Sequence, residues 1–174
     1  RVQRVGIVGA GLMATQLATL ILRRLEVPVV LTDVDPARVE QAVAAIRAEL
    51  EKLAARGRMP EPKARFLASI IEGGQGMEAY AGCDLALEAV FEEMDVKQRV
   101  FGALEEVVPE TCLLATNTSS LSVTGMGTEL RHPERVMGLH FFNPVAILPL
   151  VEIVRTEATD DISLATAWDV TKRL

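Results

Sequence analysis

Two residues have the right types for acid–base chemistry and lie where such types are out of place. His140 comes late in the apolar run Val136-Met137-Gly138-Leu139-His140-Phe141, and Glu152 interrupts Leu148-Pro149-Leu150-Val151-Glu152-Ile153-Val154. Burying a carboxylate without a partner is costly, so a partner is expected. If the flanking segments form a hairpin centred on Ala146, His140 faces Glu152 across it; a slip of one residue would turn the two to opposite faces. Held together they would act as a base and its orienter. The carboxylate fixes the imidazole tautomer, and the imidazole takes a hydroxyl proton while a hydride leaves the same carbon. A purely structural buried ion pair is the other reading. His132 lies in the polar loop Arg131-His132-Pro133-Glu134 and reads as solvated surface.

A second constellation opens the chain. Gly9-Ala10-Gly11-Leu12-Met13-Ala14 is a G-x-G-x-x-A turn after the β-branched run Val5–Val8 and before the helical spacing of Leu12–Leu25. Gly9 permits a tight turn, Gly11 lets backbone approach a pyrophosphate, and Ala14 lets helix and strand pack closely. The pyrophosphate would sit on the N–H groups of the helix start. Asp33, at the end of the second apolar run, has the spacing of the acid that accepts both ribose hydroxyls of NAD and repels the 2′-phosphate of NADP. The alternative for Asp33 is a turn residue before Asp35-Pro36. Thr116-Asn117-Thr118-Ser119-Ser120 follows a later strand. Its polar groups could hold a substrate oxygen and a nicotinamide edge, or form only a turn or helix cap. No Gly-x-Ser-x-Gly elbow is present.

The elements that must position these residues alternate. Strands are expected at Val5–Val8, Val27–Thr32, Asp84–Val90, Cys112–Thr116, Val136–Phe141 and Leu150–Val154, with a further short one at Leu67–Ile71. Helices are expected at Leu12–Leu25, from the Asp35-Pro36 cap to about Arg56 with a stop at Gly57, at Met94–Val107 and at Asp161–Leu174. Repeated strand–helix–strand units predict an α/β fold with a doubly wound, mainly parallel sheet and helices on both faces. The 174 residues are 49% apolar and 24% charged, the proportions of one compact domain rather than a disordered chain. A net charge of −6 argues against nucleic-acid binding. No apolar run approaches the ~18 residues a membrane helix needs. The N-terminus enters a strand pattern directly, with no visible targeting segment. Cys83 and Cys112 show no metal-ligand spacing and read as two half-buried thiols in a reducing cytosol.

Five blocks in order, VGIVGAGLMA, LEAVFEEMDVKQRVF, ATNTSSLSV, GLHFFNPV and LPLVEIV, resemble the L-3-hydroxyacyl-CoA dehydrogenases across essentially the whole chain. The resemblance implies a Rossmann-type NAD-binding domain over residues 1–174, acting in fatty-acid β-oxidation or related acyl-CoA degradation; the expected location, from the thiols and the N-terminus, is cytoplasmic. It implies His140 as catalytic base, Glu152 as its partner, Ser119 as a contact of substrate and cofactor, and Asn143 as the asparagine beside the nicotinamide. Glu92 and Lys97 match cofactor contacts, and Asn117 lies with Ser119 in the same block; read without the family, Glu92 and Lys97 look like solvated charges on a helix start. For the CoA end, Glu49 and Arg56 fall at the family's serine and lysine positions, and Glu49 departs from the pattern. The excess of cations over acids between residues 47 and 65 could attract CoA phosphates, or be a solvated helix face. The family's helical C-terminal domain, which closes over substrate and forms a homodimer interface, does not follow Leu174, so the fragment alone is expected to be weakly active or inactive. Helix 161–174 is expected to lead into that domain, and its Ile162, Leu164, Ala165 and Trp168 to be covered by a partner. A related sugar-acid dehydrogenase and a non-catalytic NAD-binding module are the rival readings.

Overall fold

The computed structural model of the chain describes residues 1–174. Seven strands form one sheet in the order β3-β2-β1-β4-β5-β6-β7: β1 Val5–Val8, β2 Val29–Thr32, β3 Ile71–Gly73, β4 Leu85–Glu88, β5 Leu113–Thr116, β6 Val136–Phe141 and β7 Val151–Val154. The first six run parallel and β7 is antiparallel to β6. Helices α1 Leu12–Leu25, α2 Pro36–Ala55, α3 Glu61–Ser69 and α6 Asp161–Arg173 pack on one face, where the larger apolar cluster lies. Helices α4 Met94–Val107 and α5 Val123–Met126 cover the other. With both faces covered, β1, β2, β4 and β5 are buried along their whole length. No helix is long and apolar enough to cross a membrane.

The local signals act as their chemistry requires. The Asp35 carboxylate accepts from the Ala37 N–H and Pro36 opens α2. Gly57, at φ +68°, follows its end. The strand expected at Leu67–Ile71 is a correction: α3 runs through Ser69, and β3 begins at Ile71. The run Phe66-Leu67-Ala68-Ser69-Ile70-Ile71 spans a helix end and a strand start, and only the buried Ala64 and Leu67 mark its helical half. Both cysteines are fully buried rather than half-buried, and burial pushes the Cys112 thiol up to about 12 and the Cys83 thiol upward too.

The sheet register places a row of residues level with the carboxyl ends of β1, β2, β4 and β5, on the α4 side. Thr32 aligns with Val8, Val8 with Glu88, Glu88 with Thr116, Thr116 with Gly138, and Gly138 with Val154. A side chain at Gly138 would collide with Val154, since its Cβ would lie 2.8 Å from the valine Cβ. Ligands bind outside this edge in open α/β sheets.

The loop that feeds β6 is fixed by a buried acid. Glu105 accepts the N–H groups of Arg131 and His132, each at 2.9 Å, with Arg135 and Arg131 side chains at 3.7 Å. His132 is half-buried, not fully solvated, and its Nδ1 lies 3.0 Å from Glu134. Burial pulls the Glu105 carboxyl upward, but these N–H groups and guanidinium charges pull harder, leaving it below its ordinary value of 4.5. A depressed carboxyl contributes stability above its unfolded value, lost as pH falls through the folded one. Glu105→Gln is therefore expected to cost about 2 kcal/mol at neutral pH. The gap to wild type should narrow below pH 4.5 in urea unfolding series; a pH-independent gap would contradict it.

Candidate functional site

The glycine turn sits where β1 enters α1. Gly9 has φ +113°, and a Cβ there would lie 2.8 Å from the Ala89 carbonyl oxygen, so both conformation and space exclude a side chain. Its N–H donates to the Thr32 carbonyl at 2.8 Å. A Cβ on Gly11 would meet nothing nearer than Arg38 Nη2 at 3.7 Å, so that side of the turn is open. Helix α1 has no side-chain cap and no acid in its first turn. Its first N–H groups and the positive end of its dipole are left for an anion, the arrangement a dinucleotide pyrophosphate requires. Ala14 is fully buried against the sheet, as close packing demands. Asp33 is aimed at the turn: Oδ2 accepts the Ala10 N–H and Oδ1 the Asp35 N–H, both at 3.0 Å. Its remaining lone pairs face a cavity of about 730 Å³ lined by Gly9 to Met13, Asp33, Arg38, Gln75 to Met77 and Ala89 to Phe91.

Beside the far end of this cavity lies a charge cluster. Lys97, in the second turn of α4, is 1% exposed. Its Nζ donates to both oxygens of Glu88 at 2.7 and 2.8 Å, and lies 3.3 Å from Glu92. Glu88 is itself fully buried at the end of β4 and also accepts from the Thr116 hydroxyl. Thr118 donates its hydroxyl to Glu92. Partial burial pulls the Glu92 carboxyl upward, but Thr118 and the Lys97 ammonium outweigh it and hold the group below its ordinary value. Lys97 is thus a buried, paired ammonium and not the solvated charge its sequence context implied. Glu88 was missed, although the signal was present: it interrupts the apolar Asp84–Val90 run as Glu152 interrupts its own.

The third part is the hairpin. His140 pairs with Glu152 in the β6–β7 register, with Nδ1 3.3 Å from Glu152 Oε2. The imidazole is 18% exposed, Nε2 has no protein partner, and the Phe142 ring lies against it at 4.5 Å between centroids. The expected burial of Glu152 does not occur; its side chain is 55% exposed. Strand β7 is an edge strand covered on one face only: Val151 and Ile153 pack inward, while Glu152 and Val154 face the open side. The facing partner is real, but burial did not demand it.

Ser119 and Asn143 are exposed. The Asn117 side chain ties the polar turn to β6, its Oδ1 accepting the Phe141 N–H at 2.9 Å. Arg56 caps the far end of α2, about 30 Å along that helix from Asp35, and is not brought to the cleft by this chain. Most of the local basic excess is engaged: Arg47 with the Ala68 and Ile71 carbonyls, Lys52 with Glu49, Lys63 with Glu26 and Arg65 with Glu61. No group of three or more His, Cys, Asp or Glu side chains converges as a metal site.

Comparison with known proteins identifies the family and agrees with the fold. The family described as 3-hydroxyacyl-CoA dehydrogenase, NAD binding domain, matches residues 4–174. The chain is 33% identical over 174 residues to the peroxisomal fatty acid beta-oxidation multifunctional protein MFP2 of Arabidopsis thaliana, covering 100% of the chain and 24% of that protein. It is 37% identical to the 3-hydroxyadipyl-CoA dehydrogenase of Escherichia coli, covering 99% of the chain and 35% of that protein. It superposes on the crystal structure of 3-hydroxybutyryl-CoA dehydrogenase from Escherichia coli K12 with a TM-score of 0.95 at 34% identity, over 99% of this chain and 36% of that one. The chain thus spans a quarter to about a third of these relatives. The family match over residues 4–174 and the likeness to solved members show that the chain belongs to the 3-hydroxyacyl-CoA dehydrogenase family as its NAD-binding domain.

Proposed function

We propose that the chain forms the cofactor half of a catalytic unit that oxidises the 3-hydroxyl of an L-3-hydroxyacyl-CoA to a ketone. The observation that carries this reading is the His140–Glu152 pair, facing in register on the same sheet edge and face as the Glu88–Lys97–Glu92 cluster. NAD, when bound, supplies the hydride acceptor. The Gly9–Ala14 turn cradles its pyrophosphate, with the free amides at the start of α1 as donors, and the Asp33 carboxylate accepts from the adenosine ribose. Glu92, Lys97, Asn117 and Asn143 line the nicotinamide end, Lys97 by holding Glu92 in place and Asn117 by fixing the turn. His140 Nε2 takes the substrate hydroxyl proton, Ser119 and Asn143 fix the substrate oxygen, and Glu152 stabilises the imidazolium through Nδ1. Arg56 reaches only the distal CoA phosphates. Relatives named for 3-hydroxyadipyl-CoA and 3-hydroxybutyryl-CoA support an acyl-CoA substrate.

On this reading residues 161–174 lead toward a helical substrate domain that also forms a homodimer. Leu164 packs on the chain's own core and needs no partner, but the exposure of Ile162 at 77% and Trp168 at 57%, with Ala165 also exposed, supports a covered α6 face. The unbridged thiols of Cys83 and Cys112 fit the reducing, cytoplasmic setting assumed for it.

Activity is tested on the chain joined to a helical substrate domain of the family, by following NADH loss with acetoacetyl-CoA and, in parallel, a keto sugar acid. Consumption with the thioester is the expected result; consumption with the sugar acid alone, or with neither, favours the rival dehydrogenase or the non-catalytic module. His140→Gln should abolish turnover and leave NADH affinity within about twofold, since the ring acts on substrate; loss of NADH binding would argue against its role. Asp33→Ser should narrow the preference for NADH over NADPH by at least ~10-fold, because it removes the like charge opposing a 2′-phosphate. An unchanged preference in fluorescence titrations would remove Asp33 from the ribose site.

A further inference from the structure

The three charged groups beside the cleft do not balance. Lys97 sits near the start of α4, where the helix dipole disfavours a cation, so backbone electrostatics do not account for it. Glu88 does: both of its oxygens accept from Nζ, neither group touches water, and Thr116 supplies a further donor to the carboxylate. With Lys97 neutralised by Glu88, Glu92 is left as surplus charge. Its side chain is 42% exposed, anchored by Lys97 at 3.3 Å and by the Thr118 hydroxyl, and it directly follows the Ala89–Phe91 segment that lines the cavity. On α4, Asp95 and Arg99 pair with each other and add no net charge, while the exposed Glu93 at the helix cap adds a further negative charge beside Glu92.

We propose that this cluster of two carboxylates about one ammonium gives the nicotinamide end of the cleft a net negative charge, favouring the oxidised, cationic ring over the reduced, neutral one. The inference rests on the cofactor pose proposed above. A nicotinamide ring loses its positive charge when hydride arrives, so a fixed neighbouring anion stabilises the oxidised form and not the reduced form. In a partly solvated site one such charge is worth on the order of fivefold in relative affinity. Glu88 would then be a positioning residue: it touches no cofactor, but it sets the charge count and holds the lysine that aims Glu92.

The test measures dissociation constants for NADH by fluorescence and for NAD+ by competition, for wild type, Glu92→Gln and Glu88→Gln. Both substitutions are expected to weaken NAD+ about fivefold more than NADH, and raising salt should shrink the difference. Equal weakening of both forms would overturn the charge bias while keeping Glu92 at the nicotinamide, as a mere contact. No change in either form would overturn the pose, and the bias with it. Glu88→Gln strands a buried ammonium and risks misfolding, so Glu92→Gln, at a solvent-facing side chain, decides the matter by itself.

Discussion

The contact on which the carboxyl edge depends is the ion pair between Lys97 and Glu88, sealed from water. Each buried charge carries a desolvation penalty of several kcal/mol, and removing one partner of such a pair typically destabilises by about 3–5 kcal/mol. The pair persists because it is saturated. Thr116 gives the carboxylate an extra donor, and Glu92 gives the ammonium an extra acceptor. In doing so it joins β4, β5, α4 and the loop around Thr118 at the edge of the cleft. A rigid floor there comes from satisfied polar groups rather than from apolar packing.

The two halves of the site are held by different means. At the glycine turn the backbone does most of the work. Gly9 bends the chain, Asp33 grips Ala10, and the uncapped start of α1 presents its amides. On the hairpin side position comes from cross-strand register, which brings His140 and Glu152 opposite each other at an edge where half of the sheet is open. The distance of 3.3 Å is longer than the 2.7–2.9 Å typical of charge-assisted hydrogen bonds. The imidazole is oriented by Glu152 but not clamped by it.

Much of this was legible in the residues. The glycine turn, Asp33, the boundaries of α1 and α4 and the facing of His140 with Glu152 all follow from spacing, because the turn and the strand period leave little freedom. What failed had a common cause: sequence reports which residues are apolar but not which faces are covered. Glu152 and Glu88 each interrupt an apolar strand, yet one lies on an edge and the other in the middle of the sheet, and only strand order separates them. Lys97 looked solvated because its partner is nine residues away on another element. The short β3 was displaced because α3 and β3 abut with a single residue between them.

Strand β7 reverses direction relative to the other six, and that reversal has a topological outcome. The chain descends to the amino end of the sheet, where the Asp160 N–H meets the Glu134 carbonyl ahead of β6. Helix α6 then climbs back, and Trp168, Thr171 and Leu174 share a groove with Val145 and Leu148 of the hairpin turn. The end of α6 therefore returns to the hairpin turn, so the edge that carries His140 is buttressed from the opposite face of the sheet by the element that follows it.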